Sequence, residues 1–388
     1  AAGLATVTAY LRALDARGLD VAVIAERMEM SLAADADQFE TMAKFRAARL
    51  VWGALTRELG LAPAPLRLHA ETSWRMATRR DPHVNLLRAT VAAFAAGTGG
   101  ADSIAVLPFT QTLGLPNGFA RRLARNAQVI LVEEANAHRV ADAGAGSGTV
   151  ESFTDALAER AWDLFRDIER HGGMVEALTS GWWQGEIAQV REARLRDLAT
   201  RRRPITGTSE YPLIEEPAVR VLDPMPVPQA LSETAFPPLV AARDAEPFEA
   251  LRDAAEAGPR PRVFLATLGP LAGFTPRASF ARNLFAAGGL ESLGGEVHAG
   301  IDALAAAFRA SGSTLACLCG SDETYGEIGV EAALALAAAG ATVWLAGRPD
   351  GAEALQAAGV TRFIFAGDDA LAALSEAQAV AGPDRSVS

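Results

Sequence analysis

Few residues in this 388-residue sequence have types and spacing suited to chemistry. Of its five histidines, His83, His138 and His171 are too scattered to make a metal-ligand set. His298 falls in a predicted strand and reads as a ring packed on a sheet face. His69 is the better candidate, because it is predicted at the carboxyl end of a strand, the face on which (β/α) barrels place their sites. The two cysteines, Cys317 and Cys319, share one face of a predicted strand and sit too close for a comfortable mutual disulfide. They read as small buried apolar residues. Glu133 and Glu134 are adjacent, so on a strand they face opposite ways and cannot share a proton-transfer task. Gly144, Gly146 and Gly148 bring the third glycine too soon for a dinucleotide fingerprint and predict a loop. Arg201, Arg202 and Arg203 read as a solvated helix end.

The stretch VFLATLGPLAGFTPR, residues 263–277, is the informative one. It predicts a buried strand running into a Gly/Pro-rich turn, the place where open α/β sheets bind ligands. Yet the turn carries no carboxylate, histidine or cysteine. Thr267, Ser321, Asp322 and Glu323, around Gly269, Gly320 and Gly347, are the polar groups that a small-ligand pocket at these strand ends would use.

The elements that must position these residues alternate between strand and helix. Before residue 200, predicted strands at 28–34, 66–71, 103–109 and 129–135 are interleaved with helices, among them 5–19, 39–59, 118–127 and one from 154 closing on Gly172 and Gly173. Such alternation predicts parallel strands with right-handed crossovers. Residues 204–258 break the rhythm with Pro204, Pro212, Pro217, Pro224, Pro226, Pro228, Pro237 and Pro238, and predict an extended wrapping linker. A second run follows, with strands at 262–268, 296–300, 314–320, 342–347 and 361–367, and helices at 276–290, 302–311, 325–339, 351–357 and 369–378. Five strands in this pattern suit a flavodoxin-like doubly wound sheet.

Composition narrows the function classes. Half the residues are apolar and 21% are charged, which is globular. A net charge of −11 argues against a dedicated nucleic-acid surface. No run reaches the ~18 apolar residues a membrane span needs. The amphipathic start AAGLATVTAYLRAL lacks the basic region of a signal peptide, and a cytoplasmic location is expected.

Longer stretches carry a resemblance. HAETSWRMATRRDPHVNLLR (69–88), ARRLARNAQVILVEEANAHRVADAGAGSG (120–148) and KFRAARLVW (44–52) resemble the carboxyl half of the barrel in methylmalonyl-CoA mutases. The order of barrel, proline-rich linker and flavodoxin-like domain is similar as well. TSWRMATRRDP and LPFTQTLGLP (107–116) look most like the small (beta) subunit of the heterodimeric bacterial enzyme. The resemblance implies an α/β fold in three parts. These are the carboxyl half of an eight-stranded (β/α) barrel at 1–203, a wrapping linker at 204–258, and a degenerate cobalamin-binding-like domain at 259–388. Four strand–helix units do not close a barrel, so the other half is expected upstream of Ala1 rather than from two half-barrels assembling.

The family rearranges methylmalonyl-CoA to succinyl-CoA with adenosylcobalamin, whose radical chemistry the protein must hold and shield. In active relatives a D-x-H-x-x-G turn seats that cofactor; here the resemblance places Leu271, Gly273 and Pro276 at its three positions. The family's Ser-x-Leu and Gly-Gly correspond to Cys319-Gly320-Ser321 and Ala346-Gly347. The S-L-H-T-N-x-x-D-E stretch becomes SIAVLPFTQ, with Leu107 and Gln111 where Asn and Glu lie near the adenosyl group. H-S-Q-T-S-G becomes His69-Ala70-Glu71-Thr72-Ser73-Trp74, and Arg27 matches an arginine that holds coenzyme A. Arg27, His69, Glu71, Leu107 and Gln111 would thus form a vestigial face, with no catalytic residue and no metal ligand. The expectation is a non-catalytic small subunit that binds no cofactor and stabilises a large (alpha) subunit holding the adenosylcobalamin, with no nucleic acid or membrane partner. The alternatives are an active mutase that grips cobalamin without a histidine ligand, and a small-ligand module built on the second domain.

Overall fold

The computed structural model describes residues 1–225 and 236–382, which form two compact units. Pro226 and Pro228 of the predicted linker lie outside the described residues. The first unit comprises residues 1–191 and 218–243, the second 192–217 and 244–388.

The first unit is built on three parallel strands in sequence order, β1 (Glu29–Ala34), β2 (Arg67–Thr72) and β3 (Ser103–Ala105). Period-two alternation sends Met30 and Ala34 of β1, and Leu68, Ala70 and Thr72 of β2, to one buried face. Helices cover that face, and Leu4, Phe45, Trp52, Leu68 and Ile168 are buried in the core between them. Each such side chain stabilises the fold by about 1.5–3 kcal/mol. Side-chain caps start the helices where the sequence offers them. Asp37 accepts from Glu40 N at 3.1 Å to open Gln38–Glu58, and Asn117 accepts from Ala120 N at 3.0 Å to open Gly118–Glu133. Arg49 pins the amino ends of β2 and β3 by donating to the carbonyls of Leu66 (2.7 Å) and Gly100 (2.6 Å) and to Asp102 (2.9 Å).

The expected fourth strand at 129–135 is not formed. The helix capped by Asn117 continues through Val129, Ile130 and Val132 to Glu133. Ala120 and Ala124, one turn apart, anchor it. The apolar run therefore stays helical and largely exposed. Glu133 and Glu134 accordingly end a helix rather than share a strand.

In the second unit five strands are all parallel: β4 (Arg262–Thr267), β5 (Glu291–Gly294), β6 (Leu315–Cys319), β7 (Thr342–Ala346) and β8 (Val360–Ile364). Their spatial order is β5-β4-β6-β7-β8, so the order reverses beside β4. Both faces are covered: Val263, Leu265, Phe285 and Trp344 lie in one core, Phe264, Leu318, Leu336 and Leu345 in the other. Such double burial explains why these strands read as continuous apolar runs. Cys317 and Cys319 are free, buried residues of β6, packed with the first of these cores.

The strand expected at 296–300 lies earlier, at Glu291–Gly294. Gly294 and Gly295 have φ of 74° and 102°, which ends the strand. His298 thus sits in the loop that follows, its ring 6.1 Å from that of Phe264.

The proline-rich stretch is less uniform than expected. Residues 246–256 form a helix that buries Phe248, Arg252 and Ala255. Arg252 donates to the carbonyl of Leu213 at 3.0 Å and meets Glu256 at 3.3 Å, which fastens the 204–217 segment within the second unit. Arg201 is not solvated. It lies over the Phe280 ring, 3.3 Å from Glu210, and its desolvation lowers its pKa. In the first unit, Leu115 and Leu222 are joined by a bond of 2.9 Å between their backbones, and Leu115 N donates to Asp223 O at 2.7 Å.

Candidate functional site

The face of the first sheet that the helices leave uncovered carries polar residues in rows. Register sets Glu29 beside Arg67, Ser31 beside His69 and His69 beside Ser103, and Ala33 beside Glu71 and Glu71 beside Ala105. His69 Nδ1 is 2.8 Å from Ser103 Oγ. His69 is the third residue of β2 rather than its carboxyl end, where Thr72 stands. Its pairing with Ser103 depends on strands 34 residues apart, which no local signal announces. A hydroxyl beside an imidazole is half of a nucleophile–base pair. Among the described residues no carboxylate orients the other ring nitrogen, so the arrangement can hydrogen-bond a ligand but lacks the third group of a triad.

Leu107 and Gln111 follow β3. The Leu107 amide donates to Thr72 Oγ1 at 2.8 Å, and Gln111 N donates to Pro108 O at 2.9 Å in the next turn. The structure therefore places Glu71, Leu107 and Gln111 at the carboxyl ends of β2 and β3. Arg27 is elsewhere, exposed at the end of the helix Val21–Glu26 and next to the amino end of β1. The loops at the carboxyl ends are held from within by Asn85, which is buried. Its amide donates to Thr78 O (2.8 Å) and Phe109 O (3.0 Å) and accepts from Thr78 N (3.0 Å). Arg75 and Asp35 meet at 2.9 Å.

At the carboxyl ends of the second sheet, the residues expected in an empty turn are helical. The helix Leu271–Ala287 begins directly after Pro270, so Leu271 and Gly273 lie in its first turn and Pro276 lies inside it. Leu271 is 62% exposed. Gly273 N and Phe274 N both donate to Pro270 O, and Thr275 Oγ1 bonds Leu271 O at 2.5 Å. The chain turns at Gly269, whose φ is 80°; a Cβ there would lie 2.9 Å from Thr324 Oγ1.

The space between this helix and the strand ends is taken by the chain itself. Arg277 Nη1 donates to Ala346 O at 2.7 Å, at the end of β7, and Nη2 meets Asp322 at 2.8 Å after β6. The guanidinium also lies 5.9 Å from the Tyr325 ring. A Cβ on Gly347 would fall 1.3 Å from Arg277 Nη1, so only glycine leaves room for it. Beneath, the Tyr325 hydroxyl accepts from Gly320 N at 2.8 Å and directs its proton toward Ala346 O (2.9 Å) and Leu318 O (3.1 Å). Burial pushes the Tyr325 phenol and the Cys317 thiol well above their ordinary pKa values.

The polar groups proposed for a small-ligand pocket are mostly consumed in this way. Thr267 bonds Glu296 O, Ser321 caps Thr324 N at 3.1 Å, and Asp322 holds Arg277. Glu323 stays exposed, as does Asp322 beside it. A hollow of about 760 Å³ does open in this unit, but at the amino end of the sheet, among Gly258, Pro259, Pro261, Thr314 and Gln378. Among the described residues no group of three or more His, Cys, Asp or Glu side chains is placed to hold a metal ion. Sequence reasoning missed Ser103, Arg277 and Tyr325. Arg277 ended the very stretch that drew attention, but its partners arrive from β6 and β7.

The sequence profile of methylmalonyl-CoA mutase matches residues 1–256. The chain is 48% identical over 383 residues to the methylmalonyl-CoA mutase small subunit of Streptomyces virginiae, covering 96% of this chain and 60% of that protein. It is 39% identical over 343 residues to the small subunit of Propionibacterium freudenreichii subsp. shermanii, covering 87% of this chain and 52% of that one. Similarity to the methylmalonyl-CoA mutase of Cereibacter sphaeroides is 36% over 219 residues, 55% of this chain. The chain spans between about half and three fifths of the length of the small subunits it matches.

Proposed function

The chain belongs to the methylmalonyl-CoA mutase family, and from that premise we propose that it acts as a non-catalytic small subunit. It pairs with a large subunit that carries adenosylcobalamin and interconverts methylmalonyl-CoA and succinyl-CoA, and it stabilises that partner. On this reading the first unit is the carboxyl half of a (β/α) barrel. The second is a cobalamin-type domain that has lost its ligand, and the protein works in the cytoplasm.

The observation that carries the reading is Arg277. Its guanidinium lies at the strand ends where a doubly wound sheet receives a ligand, bound to Ala346 O and Asp322. The residues present there do not fit a corrinoid. Leu271 offers hydrocarbon and Gly273 no donor atom, and Pro276 sets a rigid ring in the adjoining helix. On the other sheet, Leu107 cannot hydrogen-bond a ribose through its side chain, and Gln111 carries no charge. The two substitutions on the first sheet support the same reading as those in the second unit. What this chain supplies is packing: a second sheet covered on both faces, and a first sheet covered on one.

The test is co-expression with a large subunit. The expected result is a stable complex on size exclusion, with mutase activity that falls when the small subunit is omitted. This chain alone, mixed with cobalamin and desalted, should show no corrinoid absorption. Stoichiometric retention of the corrinoid by the isolated chain, or a large subunit fully stable and active alone, would overturn the reading.

A further inference from the structure

Of the 36 basic residues in the chain, Lys44 is the single lysine; every other one is arginine. Its place in the fold is as unusual as its type. It lies in the second turn of the helix Gln38–Glu58, half-buried, and lines a cavity of about 180 Å³ with Leu4, Met30, Leu32, Val51 and Leu157. The cavity walls are almost wholly apolar. We propose that Lys44 is an acylation site, taking a short-chain acyl group from an acyl thioester into this cavity.

Three features of the geometry support the assignment. Lys44 lines, together with Ala1, a pocket large enough for a two- or three-carbon acyl chain, and the pocket lining favours hydrocarbon over charge. Among the described residues no carboxylate is hydrogen-bonded to the amine: Asp35, the strongest of the acids acting on it, is bound to Arg75 at 2.9 Å. Desolvation lowers the amine's pKa, and Arg75 works in the same direction, while Asp35, Glu40 and Asp37 oppose it. A lysine desolvated in an apolar pocket is a stronger nucleophile at neutral pH than a solvated one. Arginine cannot replace it, since the guanidinium stays protonated.

The step balances without an oxidant. The Nζ lone pair attacks the thioester carbonyl carbon, an N–C bond forms and the C–S bond breaks. Coenzyme A departs as the thiol, taking up the proton that nitrogen sheds. The product amide carries no charge, so the modification also removes the desolvation penalty of a half-buried ammonium. The choice of thioester donor rests on the mutase role proposed above, which would place this chain where acyl thioesters are turned over.

The experiment treats the full chain with propionyl-CoA or succinyl-CoA and follows adducts by intact mass and peptide mapping, with a synthetic peptide of residues 38–50 as the solvated reference and Lys44→Arg as the blank. The expected result is one propionyl group on Lys44, added measurably faster than to the peptide, since a lowered pKa frees more of the amine. Succinyl-CoA should react more slowly, because its carboxylate opposes the apolar lining. An equal or slower rate in the folded chain, an adduct confined to the Ala1 amine, or no preference between the two thioesters would overturn the proposal. Subunit pairing is read separately by size exclusion, so its failure leaves this result standing and is distinguishable from it.

Discussion

At the scale of single residues, Arg277 makes the kind of contacts that a ligand would make at the ends of β6 and β7. Replacing it with alanine removes a bond to Ala346 O, an ion pair and a cation–π contact. Because the side chain is partly exposed, the expected loss is about 1–2 kcal/mol, seen as a lower urea midpoint. Gly347 is coupled to it. Gly347→Ala is destabilising on its own, because a Cβ would strike Nη1 and a φ of 129° suits only glycine. In the Arg277→Ala background the steric part disappears, so the double mutant should lose less than the sum of the singles. Strict additivity would show that the two do not meet. Asn85 is a second such point: Asn85→Ala strands Thr78 N and the Phe109 carbonyl, while Thr78 O keeps its bond from Thr112 Oγ1, at about 2–3 kcal/mol.

Titration follows from the same residues. The folded state holds Cys317 and Tyr325 protonated beyond their ordinary values of 9.0 and 10.0. Above those values the unfolded chain has shed protons that the native chain keeps, so stability falls as pH rises through that range. Tyr325→Phe should flatten part of this alkaline loss in urea titrations, at the cost of the hydroxyl's bonds. Lys44 has the opposite sign. Its lowered pKa means the native state has shed its proton where the unfolded chain still holds one. Its unfavourable contribution is therefore full below the lowered value and relieved as pH approaches 10.5. Lys44→Met should accordingly stabilise most at neutral pH.

At the scale of elements, the helix Leu271–Ala287 shows a conflict between sequence and context. Pro276 removes one backbone donor from its second turn, leaving Ala272 O without its i+4 partner. Pro276→Ala should raise the thermal midpoint, by up to about 3 kcal/mol of helix preference. No change would mean the helix is already distorted there for another reason. The helix Gly118–Glu133 shows the converse. Its VILV run reads as strand, but a capped start and the buried pair Ala120 and Ala124 keep the chain helical to Glu133. Ile130 is 49% exposed, so Ile130→Gln should shift stability by no more than about 0.5 kcal/mol. Three of four expected strands in the first unit were legible because their partners' patterns matched. The fourth was not, since strand and helix compete for the same short apolar run and only neighbours decide.

For the whole molecule, the alternation of strand and helix, the proline-rich interruption at 204–258 and the apolar character of β4, β6 and β7 were all readable from residue order. They depend on local chemistry: period, capping and ring constraint act over a few residues. The family was readable for the same reason, through long runs such as 69–88 that keep their residue types. That Leu271, Gly273, Leu107 and Gln111 offer neither a charge nor an imidazole was visible as well, because a side chain's chemistry is the same in any fold. What filled the space was not visible. Arg277 reaches Ala346 across 69 positions, and His69 reaches Ser103 across 34. Such contacts exist only after parallel strands have chosen their neighbours and register. Lys44 could be counted in the sequence, but the cavity beside it could not, since its walls come from β1 and three separate helices. Residue order dictated most of the elements and the residue types at their ends; packing between distant elements decided which side chains meet there.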